Sequence, residues 1–322
     1  MERLTFYQWV ARPLDLKKRT SPWITGRRKA LAHVECIVGP STYKGRKGSC
    51  TYLNGVYWVE EVSRRKDGLV VINNLHDGGK IDVENVSMAI EPDFLFPLLR
   101  GADIKRWKSS PVYQVLIPHD PEDPAKGFPV TEMQAKAPKT YSYLKRFEEI
   151  LRGRSGFKLY FDTDRAPFYS VYNVGSYTFA DHKVCWREVA NELIVAVSSP
   201  IGEKVPVPDH TLVTVECASA DEAHYLCALL NSSPSNFIVR GYVALHPSPH
   251  ILKYIRIGKF DPKENLHRSL AANSKALHEA TAAANTDALA ALEAENLKLA
   301  AEYWGLEKSE VADIKASLEE LS

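Results

Sequence analysis

Hydrophobic and polar positions change their period along the chain and so divide it into two parts. Up to about residue 260, short runs of β-branched and aromatic residues alternate with Gly, Pro, Asn and Asp, a pattern typical of strands joined by turns. An Asn54-Gly55 pair before Val56 predicts a turn followed by a strand. The segments predicted as strands are 54–59, 68–73, 112–118, 171–174, 183–186, 193–197 and 211–215.

Apolar residues at helical spacing predict a smaller set of helices. A helix over 219–231 has Ser219 as its N-cap and Glu222 three residues later, the spacing of a capping box. A helix over 138–153 begins near Pro138 and ends at Gly153. The other predicted helices are 91–101, 235–241, 264–284, 287–303 and 307–321.

These elements predict an α+β fold, with a mixed, mostly antiparallel sheet body and a C-terminal helical tail. We expect three regions along the chain. Residues 1–30, rich in cations and tryptophan, form a basic lead-in arm, and residues 31–262 form the α+β body. Residues 263–322 form a helical segment that packs on the body or on a partner.

The formal net charge of +1 conceals an uneven distribution. Residues 261–322 hold six basic and twelve acidic residues, which leaves +7 on the rest of the chain. A basic body permits a polyanionic partner, although an ordinary solvated surface gives the same count. The acidic tail is a poor DNA binder and is suited instead to packing, to self-association or to a partner protein.

Several classes of protein are disfavoured by what the sequence lacks. No run of about 18 apolar residues predicts a membrane span, and a cytoplasmic location is expected. The five cysteines are odd in number and show no CxxC spacing, which favours free thiols over disulfides or a metal site. The chain contains no Gly-x-Gly and no Pro-Pro dipeptide, so it lacks the motifs of a stand-alone base methyltransferase. We therefore predict no catalytic residues and no cofactor in this chain.

One constellation permits a different chemistry. Asp93, Asp103 and Lys105 fit the loose pattern of a metal-dependent nuclease, in which two carboxylates hold the metal and a lysine orients the attacking water. The pattern is short and arises by chance in many chains. An endonuclease therefore stays open as an alternative, as does a protein–protein scaffold without a DNA role.

Several strings in the chain resemble the C-terminal target-recognition region of Taq-type and type IIG adenine-specific DNA methyltransferases. The most specific are Pro-Leu-Leu-Arg-Gly-x-Asp-Ile-Lys-Arg-Trp at 97–107 and Leu-Leu-Asn-Ser at 229–232. The carrying segments are 53–58, 90–93, 96–107, 117–119, 138–141, 167–175, 183–188, 222–232, 259–262 and 303–306. Their order follows that family from about residue 40 to the C-terminus.

The resemblance implies a specificity module of a restriction–modification system that reads double-stranded DNA. The methyltransferase domain that precedes this region in the family is not found in this sequence, so S-adenosylmethionine is expected on a partner methyltransferase domain. Either a separate subunit supplies that domain, or this chain is a fragment or a degenerate copy. The candidate DNA-binding residues are Arg46, Lys47, Arg100, Lys105, Arg106, Lys108, Arg152, Arg154, Tyr169, Asn173 and Arg187. Trp107 is expected in the core more than as a wedge into DNA. Residues that read bases are expected in the less family-like stretches 120–137, 154–166 and 241–250.

Overall fold

The computed structural model describes residues 8–79, 81–242 and 246–321. The strands are β1 Val10–Pro13, β2 Trp23–Gly26, β3 Arg46–Lys47, β4 Trp58–Arg64, β5 Val70–Asn74, β6 Ser87–Ile90, β7 Leu95–Leu99, β8 Ile104–Lys105, β9 Lys108–Ser109, β10 Tyr113–Leu116, β11 His182–Arg187, β12 Val195–Ser198, β13 Val207–Pro208 and β14 Leu212–Cys217. The helices are α1 Arg28–Ala32, α2 Asn54–Tyr57, α3 Val130–Lys136, α4 Pro138–Arg146, α5 Glu148–Gly153, α6 Ser155–Tyr160, α7 Ser176–Phe179, α8 Ala220–Leu230, α9 Ser233–Tyr242, α10 Asn265–Ala282, α11 Thr286–Trp304 and α12 Lys308–Glu320. Within these ranges, no helix is both long and apolar enough to span a bilayer.

A six-stranded sheet in the order β13-β7-β10-β4-β5-β6 forms the first lobe, which we call the six-stranded lobe. Its strands pair antiparallel except for β13 and β7, which are parallel. Apolar side chains from this sheet share a core with α3, α4 and α5. Three buried tyrosines close the core with hydroxyl–carbonyl hydrogen bonds: Tyr57 to Tyr169 O at 2.8 Å, Tyr143 to Val56 O at 2.6 Å and Tyr169 to Phe128 O at 2.7 Å.

A second sheet in the order β12-β11-β14-β3 forms the four-stranded lobe together with the C-terminal helices. Helix α8 lies against β11 and β12, and α10 packs on α8. The Asn231 amide, at the end of α8, accepts from Val195 N at 3.0 Å and donates to Val195 O at 2.8 Å. Asn236 accepts in the same way from Leu193 N at 2.9 Å. These contacts fasten the start of β12 to the helical layer.

The N-terminal hairpin of β1 and β2 belongs to the same lobe. Thr25 Oγ1 donates to Gly241 O at 3.0 Å, and Arg27 N donates to Ser317 Oγ at 2.9 Å. Ile24 is fully buried in the core that α8 to α12 also line. Residues 1–7 of the predicted arm lie outside the described residues.

The segment from β3 to α2 connects the two lobes. Ser49 pairs with Asp209 beside β13, and Cys50 pairs with Tyr172, with Cys50 N to Tyr172 O at 2.8 Å. Gly48 is required in this crossing, because a Cβ there would lie 2.2 Å from Asp209 O. The crossing therefore holds the edge of one sheet against loops of the other lobe.

The α+β fold, with mainly antiparallel sheets and C-terminal helices, is confirmed. Strands over 68–73, 112–118, 183–186, 193–197 and 211–215 are confirmed by β5, β10, β11, β12 and β14. Ser219 caps α8 as predicted, accepting from Glu222 N at 3.2 Å. The three predicted tail helices correspond to α10, α11 and α12.

Two predicted elements are wrong because a distant contact overrides the local pattern. Residues 91–101 contain strand β7, whose five residues are all buried between β13 and β10, and not a helix. Glu91 instead caps another helix, accepting from Thr140 N at 2.8 Å at the start of α4. The Asn54-Gly55 pair begins helix α2, in which Val56 N bonds to Leu53 O at 3.1 Å, and the strand starts only at Trp58.

Two further predictions need smaller corrections. The helix over 138–153 is divided into α4 and α5 at Phe147, which lies outside the helical region at φ −105° and ψ 10°. The strand over 171–174 is absent, since this stretch holds only the bridge from Tyr172 to Cys50 and a turn at Asn173 with φ +57°.

Candidate nucleic-acid interface

Residues 44–47, which we call the edge segment, place cations on the open side of the four-stranded sheet. Strand β3 pairs with β14 through Arg46↔Thr214 and Lys47↔Val213, and Lys44, Arg46 and Lys47 are exposed. Because successive strand side chains point to opposite faces, Arg46 and Lys47 leave the sheet on different sides. Lys47 Nζ lies 2.5 Å from Glu188 Oε1.

A groove of about 420 Å³ runs beside the edge segment. Lys44, Arg46 and Lys259 line it together with Tyr177 and Glu216. Lys259 Nζ lies 2.5 Å from Glu222 Oε1 and is 62% exposed, so its charge still faces solvent. Burial raises the pKa of Tyr177, and the nearby Arg46 acts in the opposite direction. The groove thus combines positive charge with two aromatic rings, Tyr43 and Tyr177.

Three tyrosines, which we call the tyrosine cluster, follow the edge segment across the lobe boundary. Tyr160 and Tyr172 stack with ring centroids 3.6 Å apart and planes 10° apart. Tyr52 lies 6.5 Å from Tyr160 and 6.4 Å from Tyr172. Tyr52 and Tyr160 are 41% and 44% exposed, although large aromatic side chains usually bury most of their area. Sequence reasoning missed this cluster; only Tyr160 lies in a stretch predicted to read bases.

The backbone conformation of Tyr52 and its packing on α6 fix the position of its ring. Its φ is +57°, which a residue of this size rarely adopts without support from its surroundings. The ring lies against Gly156 of α6 so closely that a Cβ there would be 2.1 Å from the ring. Burial raises the pKa of Tyr52 to about 12, and Cys50, Tyr160 and Tyr172 act in the same direction, so the ring is neutral at neutral pH.

Arg154 supports the tyrosine cluster from inside. Its guanidinium is buried and donates to Thr51 O at 2.8 Å, Phe168 O at 2.7 Å and Ser170 O at 3.0 Å. These carbonyls precede Tyr52 and Tyr172 in the chain, so one side chain ties together the two segments that carry the rings.

A cleft of about 980 Å³ opens beside Tyr52. Its lining includes Cys50, Tyr52, Asn54, Asp77, Ser155 and His210. None of the described residues that line it is Lys or Arg. The Asp77 carboxylate is 79% exposed and the His210 ring is 46% exposed. The cleft therefore offers an aromatic wall and hydrogen-bonding groups without strong positive charge.

The predicted cations at 105–108 form a separate group on the β8–β9 hairpin. This hairpin contacts β12, which lies at the opposite edge of the sheet from β3, roughly 14 Å away across three strand spacings. Arg106 forms two hydrogen bonds to the Glu293 carboxylate on α11, at 2.6 and 2.7 Å. Lys105 and Lys108 are exposed. The structure thus does not unite the predicted cations on one edge.

Trp107 is a core residue, as expected. It is 2% exposed, and its Nε1 donates to Glu293 Oε1 at 2.6 Å. Its ring meets His278 edge-on at 5.7 Å, and its φ is +61°. Burial makes the pKa of Glu293 higher, but hydrogen bonds from Arg106 and Trp107 outweigh this effect and leave its pKa below the ordinary value.

Three predicted arginines are already engaged by protein groups. Arg100 makes two hydrogen bonds to Asp103, both at 3.1 Å, and lies 4.7 Å from the centre of the Tyr113 ring. Arg152 Nε bonds to Glu148 at 2.9 Å. Arg187 donates from Nη2 to Ile104 O at 2.7 Å. Each is at least partly occupied in holding the fold.

Arg154 and Tyr169, both predicted to contact DNA, have buried side chains in the structure. Tyr169 is fully buried with its hydroxyl on Phe128 O, and Arg154 uses its donors on backbone carbonyls. Asn173 is part-exposed and forms the left-handed turn that receives the Tyr177 hydroxyl on its carbonyl at 2.9 Å.

His119 explains one family-like string in structural terms. Its Nε2 accepts from Val171 N at 2.7 Å, and its Nδ1 lies 3.0 Å from Pro124 O. Burial lowers the pKa of His119 to about 4, so the ring is neutral and Nδ1 carries the proton. The His119 ring therefore joins the 119–127 loop to Val171, the residue before Tyr172 of the tyrosine cluster.

The nuclease residues do not form a common site among the residues described. Asp103 is buried and binds Arg100, including Arg100 N at 2.9 Å. Asp93 is exposed at the start of β7, where its carbonyl receives Lys204 Nζ at 2.8 Å. Within the described ranges, no three His, Cys, Asp or Glu residues are grouped to hold a metal ion.

Comparison with known proteins relates the chain to restriction–modification enzymes. It is 29% identical over 144 residues to the Type II methyltransferase M.NspV of Nostoc sp., an alignment that covers 45% of this chain and 28% of that protein. The solved structure of the Type IIL restriction-modification enzyme MmeI in complex with DNA matches with a TM-score of 0.50 and 12% identity. That match covers 88% of this chain and 35% of MmeI, and it shows a shared fold. No family model matches the chain.

The chain therefore spans well under half the length of either protein. Weak homology to a Type II methyltransferase and likeness in fold to MmeI agree on the kind of system to which the chain is related.

Proposed function

We propose that this chain is the DNA-recognition module of a restriction–modification system. In this proposal it binds double-stranded DNA sequence-specifically, and a separate subunit carries S-adenosylmethionine and the adenine-methylating site. The observation that carries the proposal is the fold match to MmeI, an enzyme solved with DNA, over 88% of this chain but only 35% of MmeI. That coverage supports a role for this chain as one module of a larger enzyme.

The edge segment supplies the electrostatic part of this function. Lys44 and Arg46 are exposed beside the same groove, and Lys259 adds a third charge to it. Lysine and arginine that neutralise phosphates release counterions, so binding weakens as salt increases. The neighbouring tyrosines add aromatic surface for bases or sugars, as in many nucleic-acid sites.

The test is selection from a pool of random duplexes, followed by salt titration on the retained sequence. We expect enrichment of one short motif. The double variant Lys44→Ala, Arg46→Ala should bind more weakly, and the slope of log affinity against log salt should fall by about 1.8 if each side chain contacts one phosphate. Retention without any enriched motif would overturn sequence reading but not DNA binding.

The matched control removes two exposed cations from the acidic tail. Lys298 and Lys308 are both exposed on the C-terminal helices, and Lys298 lies 71% exposed beside Glu295. The variant Lys298→Ala, Lys308→Ala loses the same charge and should leave both affinity and salt slope unchanged. An equal loss in the two double variants would mean that only net charge matters, and it would reject the edge segment as the contact surface.

The assignment of S-adenosylmethionine to a separate subunit has its own test. Titration calorimetry of the isolated chain with S-adenosylmethionine should give no saturable heat. Saturable binding at one equivalent would reject a chain that relies on a partner for its cofactor.

A further inference from the structure

The cleft beside Tyr52 is a second feature near the edge segment, with properties unlike those of that segment. Its volume of about 980 Å³ lies at the upper end of the range for ligand pockets, roughly 300–1,000 Å³. One wall is the Tyr52 ring, which the stacked pair of Tyr160 and Tyr172 supports from the side. Such a wall suits a flat ring.

The charge of the described lining residues favours a neutral occupant over a phosphate. Asp77 places an exposed carboxylate in the lining, and no Lys or Arg is among the described lining residues. An anion would be repelled, whereas a neutral heterocycle with amino groups could donate hydrogen bonds to Asp77. The chemistry therefore favours a nucleobase over the sugar–phosphate backbone.

The position of the cleft relates it to the edge segment. Arg46 and Tyr52 are six positions apart in the sequence, so the two lie at most ~20 Å apart along an extended chain. Phosphates of one strand follow each other about every 3.4 Å of duplex axis. A duplex whose backbone rests on Arg46 would thus bring a base to the cleft within about six nucleotides.

The backbone at Tyr52 is consistent with a functional position. A tyrosine at φ +57° costs conformational energy, and residues in such conformations concentrate at ligand sites. Here the strained residue is also exposed and lines the cleft.

From these observations we infer that the cleft receives one base unstacked from the bound duplex, with Tyr52 as its stacking face and Asp77 as a hydrogen-bond acceptor. This inference rests on the proposed DNA-binding function. Unpairing and unstacking cost a few kcal/mol in general, and least at a mismatch. A mismatch at the extruded position should therefore strengthen binding.

The experiment scans single mismatches and abasic sites through a bound duplex and measures each Kd relative to the unmodified duplex. We expect one position at which a mismatch tightens binding by about 10-fold. Tyr52→Leu should weaken binding to the unmodified duplex by about 10- to 100-fold and abolish the mismatch effect. Tyr52→Phe keeps the ring and should behave as the unchanged protein.

Two further variants separate stacking from misfolding. Gly156→Ala displaces the Tyr52 ring without removing it and should reproduce the loss seen in Tyr52→Leu. Trp23→Leu removes a 55% exposed aromatic ring from the β1–β2 hairpin and should change nothing. Thermal unfolding of each variant shows whether the fold persists.

The outcomes distinguish this inference from the proposed function. No DNA binding by the unchanged protein would reject the proposed function itself. DNA binding with no mismatch-sensitive position, or with Tyr52→Leu equal to the unchanged protein, would overturn the base-binding cleft alone. A titration with free adenosine and thymidine completes the test. If a nucleoside binds saturably and needs Tyr52, but no mismatch affects DNA binding, the cleft is a site for free nucleosides. That result would overturn the inference that the occupant is a base of the bound duplex.

Discussion

The edge segment and the β8–β9 hairpin carry the same kinds of residue and use them differently. In the edge segment, Lys44 and Arg46 are exposed beside a groove. In the hairpin, Arg106 is held by Glu293 from a helix 187 residues further along the chain, and Trp107 is buried against the same carboxylate. A cluster of cations in a sequence is therefore no guide to a DNA surface until the positions of the carboxylates are known.

Among changes to the hairpin, replacement of Trp107 should lower the free energy of unfolding most. Trp107→Ala opens a cavity in the core and leaves a polar group on Glu293 without its donor, so the free energy of unfolding should fall by about 3–5 kcal/mol. Urea denaturation measures this change. Trp107→Phe keeps most of the packing and should lose much less. A loss under about 1 kcal/mol for the alanine variant would contradict the placement of this ring in the core.

Removal of the Glu293 carboxylate comes next. Glu293→Ala leaves the Trp107 N–H without its acceptor and the Arg106 guanidinium with its 3.4 Å hydrogen bond to Asn231 Oδ1, and should cost about 2 kcal/mol of unfolding free energy. The measurement is again urea denaturation, at neutral pH. Glu295→Ala, two residues further along α11 with a side chain that is 44% exposed, is the matched control and should change stability by less than about 0.5 kcal/mol. Equal losses in both variants would show that the contact of Glu293 with Arg106 and Trp107 contributes nothing specific.

The Glu293 carboxylate should also make the stability of the fold depend on pH. Its folded-state pKa is below the unfolded value because the hydrogen bonds from Arg106 and Trp107 outweigh burial. A lowered pKa means that its contribution is present above the unfolded pKa and is lost as pH falls through the folded pKa. Stability curves from pH 7 to pH 3 should therefore decline less steeply in Glu293→Gln than in the unchanged protein. Parallel curves would argue against a charged Glu293 in the native state.

The smallest change in stability is expected at the edge segment. Arg46→Ala removes an exposed side chain, so the free energy of unfolding should change by less than about 0.5 kcal/mol. Its effect should appear in DNA affinity instead, whereas Glu293→Ala, at the hairpin, should lower stability. A large loss of stability in Arg46→Ala would remove the contrast between the two regions.

The sequence predicted features that depend on neighbouring residues. Helix α8 was predictable because Ser219, Glu222 and the apolar stripe lie within a few turns. The burial of Trp107 could also be expected from its type. In contrast, the role of Glu91 could not be predicted, since it caps a helix 49 residues away in the chain. The local string Glu91-Pro92-Asp93 is typical of a helix start, yet a strand follows.

The candidate site was harder to predict than the fold. Tyr52 and Tyr160 lie 108 positions apart in the sequence, and no period relates them to Tyr172. Conversely, Arg154 and Tyr169 fall within or beside family-like segments but are buried supports. In these family-like segments, the side chains hold loops in place. The exposed residues of the cluster are identified only from the three-dimensional structure.

The contacts at β12 have a consequence for association between molecules. An edge strand normally exposes N–H and C=O groups that can pair with a strand of another chain and start aggregation. Here Asn231 takes both polar groups of Val195, His278 Nε2 accepts from Val197 N at 3.1 Å, and Ser109 Oγ donates to Val197 O at 3.0 Å. Side chains from two helices and a hairpin thus substitute for a neighbouring strand. On this side, the sheet offers no template on which another copy could polymerise.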